Sequence, residues 1–325
     1  MNRTVVVVES FERDIHMTMR EVGEVRFGNP AMKNNDEAAL IDLIKDADAV
    51  CITSRGAFTK KVLQSAPKLR IIAKCGAPPS NVDIAAATEL GIPVTWTPGS
   101  NAISVAEHAL TLILAALKLL PQTMKDLQNG GWHTSDKKAS ELTGRTVGIV
   151  GLGQAGFQLA KMLKPFNVEI LCYDPYIDVE KAREVGAKPV ERNELFAKSE
   201  IISLNCQSSP ETYHMINEEA LSLMRPGVYI VNTGRGALID EVALNAAVDS
   251  GRVACAALDV FEEEPPKKDN PLLNKEKIIV TPHMAGWAGE ALVREAKGAA
   301  DEIIRVLNGL APINVANPDY IRFLK

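Results

Sequence analysis

Thr146-Val147-Gly148-Ile149-Val150-Gly151-Leu152-Gly153-Gln154-Ala155-Gly156 is an apolar, strand-like run closed by three glycines in the spacing Gly-x-Gly-x-x-Gly. Beyond it, Gln158-Leu159-Ala160-Lys161-Met162-Leu163 has helical character. A strand, a glycine turn and a helix in that order open a βαβ unit whose helix N-terminus offers free N–H groups to a pyrophosphate. Gly151 permits the tight turn, Gly153 lets the backbone approach the phosphates, and Gly156 lets helix and strand pack closely. Glycine triplets also occur in βα turns that hold no ligand. The context that separates the two cases is Tyr173-Asp174, which ends a second strand-like run eighteen residues after Gly156. A carboxylate there accepts bonds from a ribose 2′-OH and repels a 2′-phosphate, so NAD is expected over NADP. Read alone, Asp174 is a turn former before Pro175.

Outward from this turn, short Val/Ile-rich runs alternate with helical patterns, the signature of parallel α/β architecture. Upstream the runs are Thr4–Val8, Glu24–Phe27, Ala49–Ile52, Arg70–Ala73 and Pro93–Thr95. Between them Asp36–Lys45, Lys60–Ser65 and Asp83–Leu90 read as helices. Asn101–Leu120 reads as one long apolar helix ended by Pro121. The second series continues through Glu169–Tyr173, Ile201–Leu204, Val228–Asn232, Ala254–Leu258 and Ile278–Thr281 to a long helix at Ala288–Leu310. The fold class expected is α/β with two doubly wound parallel sheets. The simplest layout inserts a cofactor domain, residues 101–288, into a smaller domain made of residues 1–100 and 289–325.

At 325 residues, two domains is the natural expectation. Composition is that of an ordinary globular protein, 46% apolar and 24% charged. A net charge of −5 gives neither nucleic acid nor an acidic membrane a basic field to bind. The five cysteines are an odd number with no C-x-x-C pair, which points to a reducing compartment with neither a disulfide framework nor a zinc site. The apolar stretch Ala109–Leu117 is too short to span a bilayer, and Val5–Val8 followed by Glu9 does not read as a signal peptide. A cytoplasmic location and no metal are therefore expected.

In an open parallel sheet, ligands bind outside the carboxyl ends of the strands. There the chain places Asn205, Arg235, Asp259 and His283. Arg235, between Gly234 and Gly236, carries a planar fork that can hold a carboxylate bidentately and polarise an adjacent carbonyl. A structural salt bridge at a strand end is the plainer reading. His283, after Thr281-Pro282, is the side chain suited to move a proton near neutral pH. Glu264, in the loop after the preceding strand, would be its buried carboxylate partner, fixing the tautomer and favouring the protonated ring. Glu262 and Glu263 read as a solvated loop face. Asp259 either contacts the nicotinamide end of the cofactor or merely caps its strand.

These motifs resemble the D-isomer-specific 2-hydroxyacid dehydrogenases, the group that includes phosphoglycerate dehydrogenase and glyoxylate/hydroxypyruvate reductase. The resemblance also rests on Gly91-Ile92-Pro93-Val94, Asn101-x-x-Ser104-Val105-Ala106-Glu107 and Met224-Arg225-Pro226-Gly227. It continues through Asn232-Thr233-Gly234-Arg235-Gly236, Ala257-Leu258-Asp259-Val260-Phe261 to Pro265, and Thr281-Pro282-His283, covering nearly the whole chain. It implies a Rossmann-type NAD domain inserted into a smaller flavodoxin-like substrate domain. It also implies that Arg235 binds and polarises the substrate, His283 is the acid/base and Glu264 its partner. Cofactor contacts would come from the glycine turn with Gln154 and Ala155, from Asp174, Cys206, Thr233, Gly234, Arg235 and Asp259, and from the turn through His283, Ala285 and Gly286. A homodimer joined through the cofactor domain, acting on a small 2-hydroxy or 2-oxo acid, is the family's usual form.

Two positions depart from the family's pattern. A glycine-rich loop of the kind G-x-G-x-D-N-x-D reads here Gly76-Ala77-Pro78-Pro79-Ser80-Asn81-Val82-Asp83. That loop, at Gly76 and Ala77, would supply backbone N–H groups to the substrate carboxylate, and Pro78 has none to give. Gln207 stands where the family commonly has proline. The prolines turn the expectation away from glyoxylate and pyruvate, toward an acid with a second polar group held by Ser54, Arg55 and Lys74. Two alternatives follow: a member specialised for a branched or otherwise atypical anionic acid, or a NAD-sensing corepressor that binds without turnover. The latter needs docking segments beyond the core domains, of which the sequence has almost none.

Overall fold

The computed structural model describes residues 3–29, 36–132 and 138–324. The chain divides into two compact units, Met1–Asn101 with Trp287–Lys325, and Ala102–Gly286.

The first unit is built on strands β1 (Thr4–Val7), β2 (Glu24–Phe27), β3 (Ala49–Ile52), β4 (Ile71–Lys74) and β5 (Val94–Thr95). All pair in parallel in the order β2-β1-β3-β4-β5, the flavodoxin-like arrangement. The three central strands are buried throughout and, apart from Thr4 and Lys74, apolar, as strands covered on both faces must be. Period-two alternation divides their side chains. Val6, Val50, Ile52 and Ile72 pack with Leu40, Ile44, Val62 and Leu63 from the connecting helices. Val5, Val7, Ala49, Cys51, Ile71 and Ala73 face the other way, onto Ala299, Ala300, Ile303 and Leu307. Those four belong to the helix Gly289–Leu307. It stops short of the expected Leu310 because Gly309 takes a left-handed turn, φ 83°, and returns its N–H to the Val306 carbonyl. Asp36, Thr59 and Asp83 start the connecting helices by accepting the N–H groups of Ala39, Val62 and Ala86.

The second unit carries β6 (Thr146–Val150), β7 (Glu169–Tyr173), β8 (Ala187–Pro189), β9 (Ile201–Leu204), β10 (Val228–Asn232), β11 (Val253–Leu258) and β12 (Ile278–Val280). Their order, β12-β11-β10-β9-β6-β7-β8, is the dinucleotide-binding order with one strand added, again all parallel. β8 is absent from the expected series. It is short, its Lys188 and Pro189 are exposed, and a proline, lacking a donor, is tolerated only at such an edge. The expected Asn101–Leu120 helix ends at Leu117. Pro121 does not terminate it but lies in the first turn of a second helix, Leu120–Gln128, bent from the first by 60°. No single helix among the described residues is long and apolar enough to cross a membrane.

Candidate active site

Because every strand of the second unit runs the same way, the residues after β6, β7, β9, β10, β11 and β12 emerge along one edge. The glycine turn follows β6. Gly151 has φ 88° and donates its N–H to the Tyr173 carbonyl, 2.8 Å. A Cβ on Gly156 would lie 2.1 Å from the Gly151 carbonyl oxygen, so only glycine lets the helix Gln154–Leu163 meet the turn. A Cβ on Gly153 would meet nothing within 4 Å. That open space at the N-cap of a ten-residue helix, where no side chain caps the first N–H groups, is where a pyrophosphate can reach the backbone. Gln154 and Ala155 form the first helical positions, and Cys206, after β9, lies against Gly151. Burial, reinforced by Asp174, pushes the Cys206 thiol up to about 11, so it stays protonated. Asp174 directly follows β7 and accepts from the N–H groups of Leu152 and Tyr176, both 2.9 Å. Its carboxylate is thereby fixed beside the glycine turn, where a ribose hydroxyl would sit. These features fit NAD.

Arg235 lies three residues beyond β10. The Asn232 side chain folds the intervening turn by accepting from Gly234 N–H (3.0 Å) and donating to the Arg235 carbonyl (2.9 Å). Thr233 donates its hydroxyl to Asn205, 3.4 Å. The Arg235 guanidinium donates to the Gly234 carbonyl at 2.7 Å and forms no ion pair with a described residue. The salt-bridge reading therefore finds no carboxylate. Gly236 meets the next loop so closely that a Cβ would fall 1.8 Å from the Phe261 carbonyl oxygen.

Phe261 N–H donates to Glu264 Oε1, 3.1 Å, and Glu264 Oε2 lies 2.6 Å from His283 Nδ1. The imidazole is thus held through one nitrogen, and Nε2 has no hydrogen-bond partner among the described residues. The pair differs from expectation in one respect: it is not buried, His283 being 52% and Glu264 36% exposed in their side chains. Water screens it, so its role is orientation more than a large electrostatic bias. Glu262 is not simply solvated either. It accepts from Glu241 N–H at the start of the helix Glu241–Asp249 and lies 3.2 Å from His214.

Asp259 is fully buried and is more than a strand cap. Oδ1 accepts from the Thr281 hydroxyl (2.6 Å) and Met284 N–H (2.9 Å), and Oδ2 from Ala285 N–H (2.8 Å). Burial works against its charge, but these bonds and one from His108 outweigh it and hold its carboxyl below the ordinary range. His108 lies 3.5 Å from Oδ1 and 3.1 Å from Thr281 Oγ1. With His283 N–H on the Asp259 carbonyl (2.8 Å), this carboxylate shapes the whole turn from Thr281 to Gly286 and keeps His283 in a left-handed conformation, φ 51°. His108 escaped the sequence reading, although a lone histidine inside an apolar helix was its signal.

The first unit, taken by itself, holds the other proposed positions. Ser54 is exposed. Arg55 Nη2 pairs with Glu9 Oε1 at 2.9 Å, so its charge is already matched. Lys74 is 3% exposed, not a surface lysine. Burial pushes its ammonium below the ordinary range, against the charges of Cys75 and Glu295. Gly76, φ 84°, gives its N–H to Thr97 Oγ1 at 2.7 Å, which removes one donor from the loop. With Pro78 and Pro79 lacking N–H groups, Ala77 holds the one backbone N–H of the stretch Gly76–Pro79 that is bonded to no described residue.

Residues 110–285 match the NAD binding domain of the D-isomer specific 2-hydroxyacid dehydrogenases. The chain is 40% identical over 314 residues to a D-3-phosphoglycerate dehydrogenase of Methanocaldococcus jannaschii, spanning 96% of this chain but 59% of that protein. It is 35% identical over 287 residues to a glyoxylate reductase of Korarchaeum cryptofilum, 87% of this chain and 86% of that one. A D-lactate dehydrogenase of Aquifex aeolicus, solved with NAD and lactic acid, matches its structure with a TM-score of 0.79 at 27% identity, over 94% of this chain and 96% of the other. The chain spans a little over half the length of the phosphoglycerate dehydrogenases it matches. On these likenesses the chain belongs to the D-isomer specific 2-hydroxyacid dehydrogenase family, and residues 110–285, which contain the glycine turn, match its NAD-binding domain.

Proposed function

We propose that the protein is an NAD-dependent oxidoreductase interconverting a 2-hydroxy acid and a 2-oxo acid. The observation that carries this reading is the 2.6 Å contact between His283 Nδ1 and Glu264, which leaves Nε2 open on a scaffold shared with the Arg235 guanidinium, in ion pair with no described residue. When bound, NAD supplies the hydride acceptor. In the oxidative direction His283 Nε2 takes the hydroxyl proton as the carbonyl forms, and Glu264 holds the resulting imidazolium in place. Arg235 binds the carboxylate and stabilises charge on the carbonyl oxygen. Asp259 and the Thr281–Gly286 turn, with Thr233, Gly234 and Cys206, border the nicotinamide end.

The substrate is an acid with a further polar or charged group. Its support is the donor shortage at Gly76–Pro78: an unpaired carboxylate oxygen in a closed site costs about 1–3 kcal/mol, roughly ten- to a hundredfold in specificity. Of the two cations named for that group, Arg55 is paired with Glu9, and Lys74 is buried beside Cys75 and Glu295. The test is NADH oxidation with glyoxylate, pyruvate, hydroxypyruvate and larger anionic 2-oxo acids. The larger acids should give the highest kcat/KM, and His283→Ala should lower kcat with the best of them by about 10²–10⁴-fold while NADH still binds. A His283→Ala protein of near-normal turnover removes the acid/base assignment, and glyoxylate or pyruvate as best substrate removes the proline argument.

The assembly is a homodimer. Leu120, Met124 and Leu127 line one side of the Leu120–Gln128 helix and are all exposed, a face suited to a second copy. Sedimentation giving a monomer would refute it. All five cysteines are free, which supports the cytoplasm.

A further inference from the structure

Three side chains of the first unit, none of them given a role in the reaction just proposed, converge beside the Gly76–Ala77 loop. Cys51 lies on β3, Cys75 one residue past β4, and His16 at the end of the short helix Arg13–His16. They are 35 and 24 residues apart in sequence and form no metal-binding motif, which is why the cysteine spacing read as no zinc site. The sheet brings them together. Parallel pairing sets Cys51 beside Ala73, and Cys75 N–H donates to the Ile52 carbonyl at 2.8 Å, so the thiols become diagonal neighbours.

The separations are 3.7 Å between the two Sγ atoms, 3.6 Å from Cys51 Sγ to His16 Nε2, and 3.8 Å from Cys75 Sγ to the same nitrogen. A tetrahedral ion with metal–sulfur bonds of about 2.3 Å and a metal–nitrogen bond of about 2.05 Å has an S–S edge of about 3.8 Å and S–N edges of about 3.6 Å. The observed triangle is one face of that tetrahedron. Ser10 Oγ lies 2.7 Å from His16 Nδ1, an outer contact that fixes the ring; in the tautomer where Nδ1–H donates to that oxygen, the Nε2 lone pair is free. Two sulfurs and an imidazole form a soft set, suited to zinc or copper(I) and not to magnesium or calcium. His16 and Cys51 are buried and Cys75 is half-buried, and the three side chains supply three of the four ligands of a tetrahedron.

From this geometry we infer that His16, Cys51 and Cys75 bind one thiophilic metal ion in a tetrahedral site with one position left for an exogenous ligand. Binding displaces the thiol protons, forms two metal–thiolate bonds and one metal–imidazole bond, and changes no oxidation state. The bond to Cys75 fixes the residue immediately before Gly76 and Ala77, tying that loop to β3 and to the Arg13–His16 helix. Hydrogen bonding from Cys51, then from His16, already brings the Cys75 thiol down to about 6 against the opposing effect of burial.

The test uses untagged full-length protein, reduced and stripped with a chelator, then titrated with Co²⁺ and Zn²⁺. One Co²⁺ per chain should bind with a sulfur-to-cobalt charge-transfer band and the intense visible bands of a tetrahedral site. Zn²⁺ should displace it and raise the thermal midpoint. Cys75→Ser should abolish the charge-transfer intensity of a two-thiolate site. Because Cys51→Ser can unfold the unit, Ser10→Ala is read beside it. That variant should keep the far-ultraviolet circular dichroism of the parent and bind about 10- to 100-fold more weakly. Folded, reduced protein that shows no charge-transfer band overturns the inference, as does an unchanged band in Cys75→Ser. So does protein that ignores both ions and closes a Cys51–Cys75 disulfide on mild oxidation, since the pair would then be a redox couple.

Discussion

Asp174 is the residue on which cofactor choice should turn in the function proposed above. Its oxygens hold the N–H groups of Leu152 and Tyr176, and in that proposal its charge would face a ribose 2′-substituent. Asp174→Ala should therefore weaken NADH by loosening the turn and improve NADPH relative to it by removing a like charge. The kcat/KM ratio of the two cofactors separates these effects, and an unmodified protein using both equally would end the assignment. Single residues were also the most legible level of the sequence. Arg235, Glu264 and His283 could be named because each follows a strand whose apolar run is obvious. The exposure of Glu264 was not legible, since burial depends on what the Phe261–Pro265 loop packs against. A caution follows for mutagenesis of His283: at φ 51° alanine is strained where histidine is already held. Asparagine tolerates that backbone best, so His283→Asn is the cleaner measure of the lost proton transfer.

At the scale of elements, the turn from Thr281 to Gly286 depends on one carboxylate behind it. Asp259→Asn keeps the shape but puts an NH₂ against donors, Ala285 N–H or Met284 N–H with the Thr281 hydroxyl. The variant should lose about 1–3 kcal/mol of stability and roughly tenfold in kcat, measured by urea titration and by turnover. If both stayed unchanged, the turn would not depend on Asp259. The strand–helix alternation was legible because central parallel strands such as β1, β3, β4 and β9 are buried throughout and predominantly apolar. β8 was not, because an edge strand carries no such run. The convergence of His16, Cys51 and Cys75 was hidden for another reason. Register between strands is a tertiary property, and no local spacing encodes it.

At the scale of the molecule, the first unit carries its own pH dependence. Burial, then the neighbouring Cys75 thiolate, pushes Glu295 up to about 7 from its ordinary 4.5, with Lys74, Asn101 and Arg294 opposing. A carboxyl raised on folding contributes stability that is fully present below pH 4.5 and is lost as pH rises through about 7. Glu295→Gln should thus stabilise the reduced, metal-free protein at pH 8, on the order of 2 kcal/mol after allowance for partial exposure, and leave it unchanged near pH 4. A shift of equal size at both pH values would contradict this. The discontinuity of the same unit also has a consequence in time. Its sheet is complete once Thr95 has been made, yet the face bearing Val5, Val7, Cys51 and Ile71 is covered by Ala299, Ala300, Ile303 and Leu307. At ordinary rates of synthesis those residues leave the ribosome on the order of ten to forty seconds later. For that interval a finished sheet has one oily side bare, while the contiguous Ala102–Gly286 unit can fold first. The nascent chain, more than the mature protein, is the form that needs a chaperone.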